Sequence, residues 1–312
     1  MDTGGIQLSG VLPNLLVIGV PKAGTGSLFS YLGQHPDICA STVKEIGYFK
    51  LPQEKTTPPT LKWYGQHFAH YGGERYVLEA TPSYCYLGKR VIDTIEDTLD
   101  RPRAIILLRD PVDRLWSAYT FQRTIGNLGH VQSFQEYLSE CERRRREGSP
   151  YSPYFAGMSI GFYGDYLPDW FELLGERMQA VFTEELLASP QQLVGRLCRW
   201  LSIDAAVVDS FDYHVLNKTI HPRSVALSRA ARAIARKTGP LLKRTPLTKE
   251  WLRANYRRMN TGELTERLDQ QTRRRLEEMY APSNRIIATT LRERGFQELP
   301  PWLERAERSQ TA

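Results

Sequence analysis

Short runs of apolar residues, each ending at polar or turn-forming residues, recur along the chain. Leu15 to Val20 leads into a turn and then a helical pattern, and Ala104 to Leu108 is all apolar until Arg109-Asp110-Pro111 breaks the run. Apolar runs of this length are typical of strands buried on both faces of a parallel sheet. Two further strands are predicted at Arg75 to Ala80 and at Gln179 to Phe182.

Helical patterns lie between these strands. One begins after the first turn, one runs from Val112 onward, and Pro190 to Leu201 is amphipathic, with Leu193 and Leu197 on its apolar side. Alternating strands and helices predict an α/β fold of three layers, in which helices cover both faces of a central parallel sheet. In such folds the functional site lies at the carboxyl ends of the strands.

Composition narrows the class of protein. The chain has 312 residues, 41% of them hydrophobic, which is enough to bury a substantial core. Mean hydropathy is −0.43, and no apolar stretch approaches the roughly 18 residues that would span a bilayer. The first residues lack the basic region of a signal peptide. Four cysteines are scattered without metal or disulfide spacing. We therefore expect a cytoplasmic protein with reduced thiols and no membrane span.

The formal net charge is +6. This surplus favours an anionic ligand or partner, but charge alone does not choose between a nucleotide, a nucleic acid and an acidic glycan. Four consecutive arginines, 143 to 146, end a charged helical segment. They are expected to form a solvated helical face, with an anionic acceptor surface as the alternative.

The first turn carries the chemistry of an anion site. Gly24 and Gly26 allow a tight bend and close approach of the backbone, Thr25 and Ser27 add hydroxyl donors, and Lys22 adds a cation. A helix N-terminus supplies unpaired N–H groups at the positive end of its dipole. An ordinary strand-to-helix loop is the alternative. An ATP phosphate loop is not indicated, since no Lys-Ser/Thr pair follows the glycine.

This turn, Pro21 to Leu28, resembles the P-K-x-G-T-x-x-L loop of sulfotransferases that use 3′-phosphoadenosine 5′-phosphosulfate (PAPS). The resemblance implies a P-loop-like fold. It also implies that the residues of the turn bind the 5′ end of the donor: Lys22, Ala23, Gly24, Thr25, Gly26 and Ser27. A second motif, from Leu108 to Tyr119, resembles the family's L-R-[DN]-P-x-[ED]-R-x-x-S-x-Y segment. It implies that Arg109 and Ser117 converge on the donor's 3′-phosphate.

The segment Ser41 to Lys50 is, for an arbitrary protein, a surface strand or turn. Here it follows the donor loop and resembles the [KE]-E-x-x-[FY]-F segment of heparan sulfate sulfotransferases, which implies that Glu45 is the general base. Two departures weaken this match. Ala80 stands where relatives carry a lysine, and Gly47 where some carry a histidine. Lys44 or Lys22 would then supply the missing charge, and Glu79 is the alternative base.

The resemblance continues to about Trp302 and implies a single sulfotransferase domain over residues 1–312. Tyr163 matches a family tyrosine that either packs or contacts the donor. Relatives cover the nucleotide with a late basic loop, for which Lys218, His221 and Arg223 are candidates and Arg223 is preferred. The basic stretch 228–258 departs from the shortest family members and is expected to form a lid or helical excursion. His67 and His70 are three residues apart, but no third metal ligand is evident.

The implied reaction is transfer of a sulfuryl group from PAPS to a hydroxyl or amine, leaving adenosine 3′,5′-bisphosphate, without a metal. The acceptor stays open among a small molecule, a lipid, a carrier-bound chain and a saccharide; a nucleic acid partner is not implied, and the oligomeric state is not specified. Two rivals remain. One is a kinase or NTPase with a degenerate phosphate loop, and the other is a non-enzymatic polyanion binder whose affinity would fall steeply with salt.

Overall fold

The structure is a computed structural model of the chain and describes residues 10–50, 59–129, 131–214, 221–222, 261–262 and 266–308. Its strands and helices, in chain order, are as follows. The strands are β1 Leu15–Gly19, β2 Ile38–Ala40, β3 Tyr76–Ala80, β4 Arg103–Leu108, β5 Met178–Phe182, β6 His221–Pro222 and β7 Thr261–Gly262. The helices are α1 Thr25–Leu32, α2 Leu61–Gly65, α3 Lys89–Thr98, α4 Pro111–Thr124, α5 Phe134–Arg146, α6 Leu167–Leu174, α7 Thr183–Ala188, α8 Pro190–Leu201, α9 Gln270–Glu293 and α10 Pro301–Arg308.

Five strands form one parallel sheet in the order β2-β3-β1-β4-β5. The four strands that the apolar runs predict are all present, so the prediction of a parallel α/β sheet is confirmed. All five residues of β1 are buried. Successive residues of a strand point to opposite faces, so continuous burial means that both faces of the sheet are covered. Helices surround the sheet, as predicted.

The described residues fall into two compact units. The first unit lies within Met1–Asp110, Phe162–Leu216 and Ala281–Ala312 and contains the five-stranded sheet. The second lies within Pro111–Gly161 and Asn217–Tyr280. The expectation of a single domain over residues 1–312 stays a prediction.

The strand order of the first unit indicates which edge of the sheet is expected to hold a ligand. β1 lies at the centre of the sheet, with β3 on one side and β4 on the other. In parallel α/β sheets, ligands bind beyond the carboxyl ends of strands where the strand order reverses. The turns that follow β1, β3, β4 and β5 therefore meet at one edge. The amide of Val20, just after β1, donates to Leu107 O of β4 at 2.9 Å, which ties the turn after β1 to the last residues of β4.

The second unit contains an aromatic cluster and the arginine-rich helix α5. The rings of Tyr119, Phe134 and Tyr137 pack at centroid distances of 5.1 to 6.4 Å. Arg143 and Arg144 of α5 both pair with Glu140 of the same helix at 2.7 Å. These intrahelical pairs fit the interpretation of a solvated charged face.

Candidate donor site and base loop

The donor turn, residues 21–27, leads from β1 into α1 and presents backbone N–H donors at the start of that helix. Gly24 precedes α1 with a φ of 104°, a left-handed conformation that favours glycine. Among the described residues, nothing accepts from the backbone N–H groups of Gly24, Thr25 and Gly26, whereas that of Ser27 bonds to Gly24 O at 3.0 Å. The hydroxyls of Thr25 and Ser27 also have no partner in that part of the chain, although both residues are buried. Such a set of donors suits a phosphate or phosphosulfate group.

Lys22 lies in the same turn with a φ of 73°. Burial, followed by the positive charge of Arg109, lowers the pKa of its ammonium from 10.5 to about 8. Glu45 acts on that pKa in the opposite direction, and Lys44 adds to the depression. The electrostatics thus couple the donor turn to Arg109 and to the segment that carries Glu45. A partly buried lysine among cations is suited to receive negative charge from a ligand.

Arg109 follows β4 and reaches the donor turn. Its Nη1 donates to Lys22 O at 3.0 Å, so the turn and the end of β4 are joined directly. The hydroxyl of Tyr163 donates to Arg109 O at 2.7 Å, and the side chain of Tyr163 is fully buried. Of the two roles left open for Tyr163, this placement favours packing. The Tyr163 hydroxyl holds the backbone of Arg109 in place, and Arg109 in turn contacts the donor turn.

Sequence reasoning missed the residues that follow β5. The Thr183 hydroxyl lies 2.7 Å from Ala23 O and 3.0 Å from Leu108 O, and it joins the donor turn to the end of β4. Burial raises the pKa of the neighbouring Glu184, and Asp110 adds to that rise. A threonine directly after a predicted buried strand was the one available signal, but the sequence does not show which carbonyls it would meet.

The segment that carries Glu45 is held by its backbone. The amide of Glu45 donates to Ala80 O at 2.9 Å, and Glu45 itself adopts a φ of 65°. Its side chain is 61% exposed, and its carboxylate accepts from Lys44 Nζ at 2.8 Å. Glu45 therefore offers an accessible carboxylate beside the carboxyl end of β3. The expectation that Lys44 or Lys22 supplies the charge of the lysine replaced by Ala80 stays a prediction.

Glu79 has a different environment, at the end of β3. It is fully buried, and its carboxylate accepts from the hydroxyls of Thr81 at 2.6 Å and Tyr84 at 2.9 Å, and from the hydroxyl of Tyr64. Burial raises the pKa of Glu79, while these hydroxyl donors lower it. The Thr81 hydroxyl in turn accepts from the amide of Gly47 at 3.1 Å. Glu79 thus lies beneath the Glu45 segment and has no exposed surface.

The remaining predicted residues lie elsewhere. Ser117 lies on α4 of the second unit, so its convergence with Arg109 stays a prediction. Arg223 and the basic stretch 228–258 lie outside the described residues. Ala80, at the family's lysine position, is fully buried and has no charge to offer.

Among the residues that the structure describes, no group of three or more His, Cys, Asp or Glu side chains is placed to hold a metal ion. His70 instead lies with its Nε2 3.5 Å from the Sγ of Cys39. None of the described helices is long and apolar enough to cross a membrane.

Comparisons with known proteins agree with this geometry. Human heparan sulfate glucosamine 3-O-sulfotransferase 3A1 is 26% identical over 285 residues, which cover 91% of this chain and 61% of that protein. The membrane-associated sulfotransferase kil1 of Dictyostelium discoideum is 38% identical over 113 residues, 35% of this chain and 23% of that protein. The chain thus spans less than two thirds of the length of these relatives.

A solved structure and a family model extend the match. The crystal structure of a sulfotransferase from Alicyclobacillus acidocaldarius superposes with a TM-score of 0.66 at 22% identity, covering 94% of this chain and 99% of that one, which shows a shared fold. The model of the sulfotransferase domain matches residues 12–280, which include the donor turn, Glu45 and Arg109. Because that match extends over most of the sequence, the chain belongs to the sulfotransferase domain family.

Proposed function

We propose that this protein transfers a sulfuryl group from PAPS to an acceptor hydroxyl or amine. The observation that carries the proposal is the donor turn, where three backbone N–H groups and two hydroxyls lack partners among the described residues and lie next to Lys22. Arg109 bonds directly to that turn. In a member of the sulfotransferase family, this arrangement suits the 5′-phosphosulfate of the donor.

Two groups of residues hold the two ends of the nucleotide. Thr25 and Ser27, with the amides from Gly24 to Gly26, hold the 5′ end of the nucleotide, whereas the Ala23 amide donates to Val20 O at 3.3 Å. Arg109, Ser117 and Arg223 hold its 3′-phosphate and adenosine portion. Arginine is suited to a phosphate because its guanidinium can donate two parallel hydrogen bonds.

Two residues, Lys22 and Glu45, carry out the chemistry of the transfer. The acceptor oxygen or nitrogen forms a bond to sulfur while the bond between sulfur and the bridging phosphate oxygen breaks. Lys22 stabilises the negative charge that develops on that oxygen, an effect worth about 10²–10³ in rate for one lost donor of this kind. Glu45 takes the proton from the acceptor, so the products are the sulfated acceptor and adenosine 3′,5′-bisphosphate.

Glu45 is preferred to Glu79 as the base because of exposure. A general base must come within hydrogen-bond reach of the acceptor proton. Glu45 is 61% exposed, whereas Glu79 is fully buried and already accepts from three hydroxyls. An acceptor could reach Glu79 only after that buried cluster had opened.

The acceptor class is open among saccharide, small-molecule, lipid and carrier-bound hydroxyls. A saccharide is the first to test, because several relatives are named for heparan sulfate. We also propose a reducing compartment such as the cytoplasm, because all four cysteines are free and buried.

The test combines donor binding with an acceptor panel. Adenosine 3′,5′-bisphosphate should raise the melting temperature, because it binds the folded state alone, and ATP with Mg²⁺ should raise it less. Labelled PAPS would then be offered with heparan-type oligosaccharides, phenols, long-chain alcohols and hydroxyacyl carrier proteins. Equal or greater stabilisation by ATP with Mg²⁺ would favour the kinase rival, and a response to neither nucleotide would refute the proposal.

A further inference from the structure

A chain of hydrogen bonds connects the buried end of β3 to the segment that carries Glu45. We propose that Thr81, oriented by Glu79, is a positioning residue that holds this segment so that the Glu45 carboxylate can take the acceptor proton. The inference rests on the proposed role of Glu45. It assigns a function to the buried carboxylate that the transfer itself does not use.

The direction of each bond follows from counting protons. An ionised carboxylate can only accept hydrogen bonds, and a hydroxyl has a single proton to donate. Thr81 and Tyr84 both donate to Glu79, at 2.6 and 2.9 Å. Their oxygens can therefore only accept from the other side. Thr81 accepts from the amide of Gly47 at 3.1 Å, and Tyr84 accepts from the amide of Phe49 at 3.4 Å.

The Glu45 segment depends on such anchors because its backbone is unusual. Glu45 and Gly47 both have positive φ values, 65° and 69°, and for glutamate this conformation is uncommon. The bond from Gly47 to Thr81 lies two residues beyond the bond from Glu45 N to Ala80 O. Together the two bonds fix the backbone on which the exposed Glu45 side chain stands.

A hydroxyl is the group that this position requires. Thr81 is buried, and it must donate to Glu79 and accept from Gly47 at the same time. Serine can do both. Valine has almost the shape of threonine but can do neither, and it would leave a buried N–H without an acceptor. The pair Thr81→Val and Thr81→Ser therefore separates hydrogen bonding from packing.

The chain offers a matched control in Thr272. This buried threonine of the second unit donates through its hydroxyl to a carboxylate, that of Asp269, at 2.7 Å. It also accepts from an N–H, that of the Gln135 amide, at 2.7 Å. Thr272→Val thus removes the same kind of hydrogen bonds from a part of the chain that holds no residue of the Glu45 segment.

Three quantities would be measured on the full-length variants: kcat with PAPS and the best acceptor of the panel, the Kd of adenosine 3′,5′-bisphosphate, and hydrogen exchange at the Gly47 amide. Thr81→Val should lower kcat by about 10- to 100-fold, the effect of a misplaced catalytic group. The nucleotide Kd should stay near that of the wild type, while Gly47 exchanges faster. Thr81→Ser should restore kcat and Gly47 protection, and Thr272→Val should leave kcat unchanged.

A kcat for Thr81→Val close to that of Thr272→Val would overturn the proposal, as would failure of Thr81→Ser to restore it. Should Thr81→Val not fold, Glu79→Gln gives an independent test. The amide oxygen of glutamine can still accept from Thr81, so kcat should fall much less than in Glu45→Gln. A collapse of kcat in Glu79→Gln with intact nucleotide binding would make Glu79 the proton acceptor. Failure of the wild type to bind the nucleotide would refute the proposed function. The positioning role of Thr81 would then be judged separately, because hydrogen exchange at the Gly47 amide is measured without nucleotide or acceptor.

Discussion

Affinity for adenosine 3′,5′-bisphosphate should fall as the pH rises through about 8. The cause is Lys22, whose pKa burial and the nearby Arg109 lower from 10.5 to about 8. The free protein therefore loses the Lys22 charge at a pH where most lysines are still protonated. A bound anion favours the ammonium form and raises this pKa again, so nucleotide binding above pH 8 must be accompanied by proton uptake.

The magnitude follows from the titration of one group. One pH unit above the pKa of Lys22, only about one tenth of the free protein still carries the ammonium, so affinity at pH 9 should be about tenfold lower than at pH 7, or about 1.4 kcal/mol. The second ionisation of a phosphate monoester occurs near pH 6, so the ligand's own charge is constant across this window.

Calorimetry between pH 7 and 9.5, in buffers of different ionisation enthalpy, gives both the affinity and the number of protons taken up. We expect uptake of about half a proton at pH 8 and about 0.9 at pH 9, from a single group with a pKa of about 8. Lys22→Met should abolish the pH dependence, whereas Lys62→Met, an exposed lysine of α2, should retain it. A wild-type affinity that is flat over this range, or an unchanged pH dependence in Lys22→Met, would refute the reasoning.

Three further predictions test the other parts of the site. Arg109→Ala should largely abolish the rise in melting temperature with adenosine 3′,5′-bisphosphate. Arg103→Ala, at the opposite end of β4, should keep that rise, and an unchanged response in Arg109→Ala would exclude a phosphate contact of Arg109. Glu45→Gln should bind the nucleotide normally but transfer about 10²–10⁴-fold more slowly, and near-normal turnover would exclude Glu45 as the base. Gly24→Ala should destabilise the fold by about 1–2 kcal/mol in denaturant titrations, because its φ is 104°. Gly88→Ala is the control, because Gly88 has a φ of 82° and no neighbour within 4 Å of the added Cβ, so its loss of stability measures the backbone cost alone. A loss of stability in Gly24→Ala smaller than that in Gly88→Ala would contradict the prediction.

Much of the fold could be predicted from local patterns. Four of the five sheet strands are apolar runs long enough to be recognised, because a central parallel strand is buried on both faces and tolerates few polar residues. The exception is β2, only three residues long, from Ile38 to Ala40. So short a strand carries too little pattern to be distinguished from a loop. It pairs with β3, and that pairing is a long-range property.

The candidate site was predicted only in part. The sequence points to the donor turn and Arg109 as candidates because each motif is continuous in the sequence and lies where a predicted strand ends. The family resemblance favours Glu45 over Glu79 as the base, but the sequence does not show how their environments differ, since both are glutamates near predicted strand or turn boundaries. Burial distinguishes them, because Glu79 is enclosed by Tyr64 and Tyr84 while Glu45 stays exposed.

The sequence by itself determined the parallel α/β sheet, the glycine-containing turn after β1 and the cation at the end of β4, because these depend on residues adjacent in the chain. Only the tertiary structure decided how these pieces support one another. The contacts of Tyr163 with Arg109, of Thr183 with Ala23 and of Thr81 with Gly47 join residues separated by 54, 160 and 34 positions. No local pattern encodes such contacts, since they arise when parallel strands bring their carboxyl ends to one edge of the sheet.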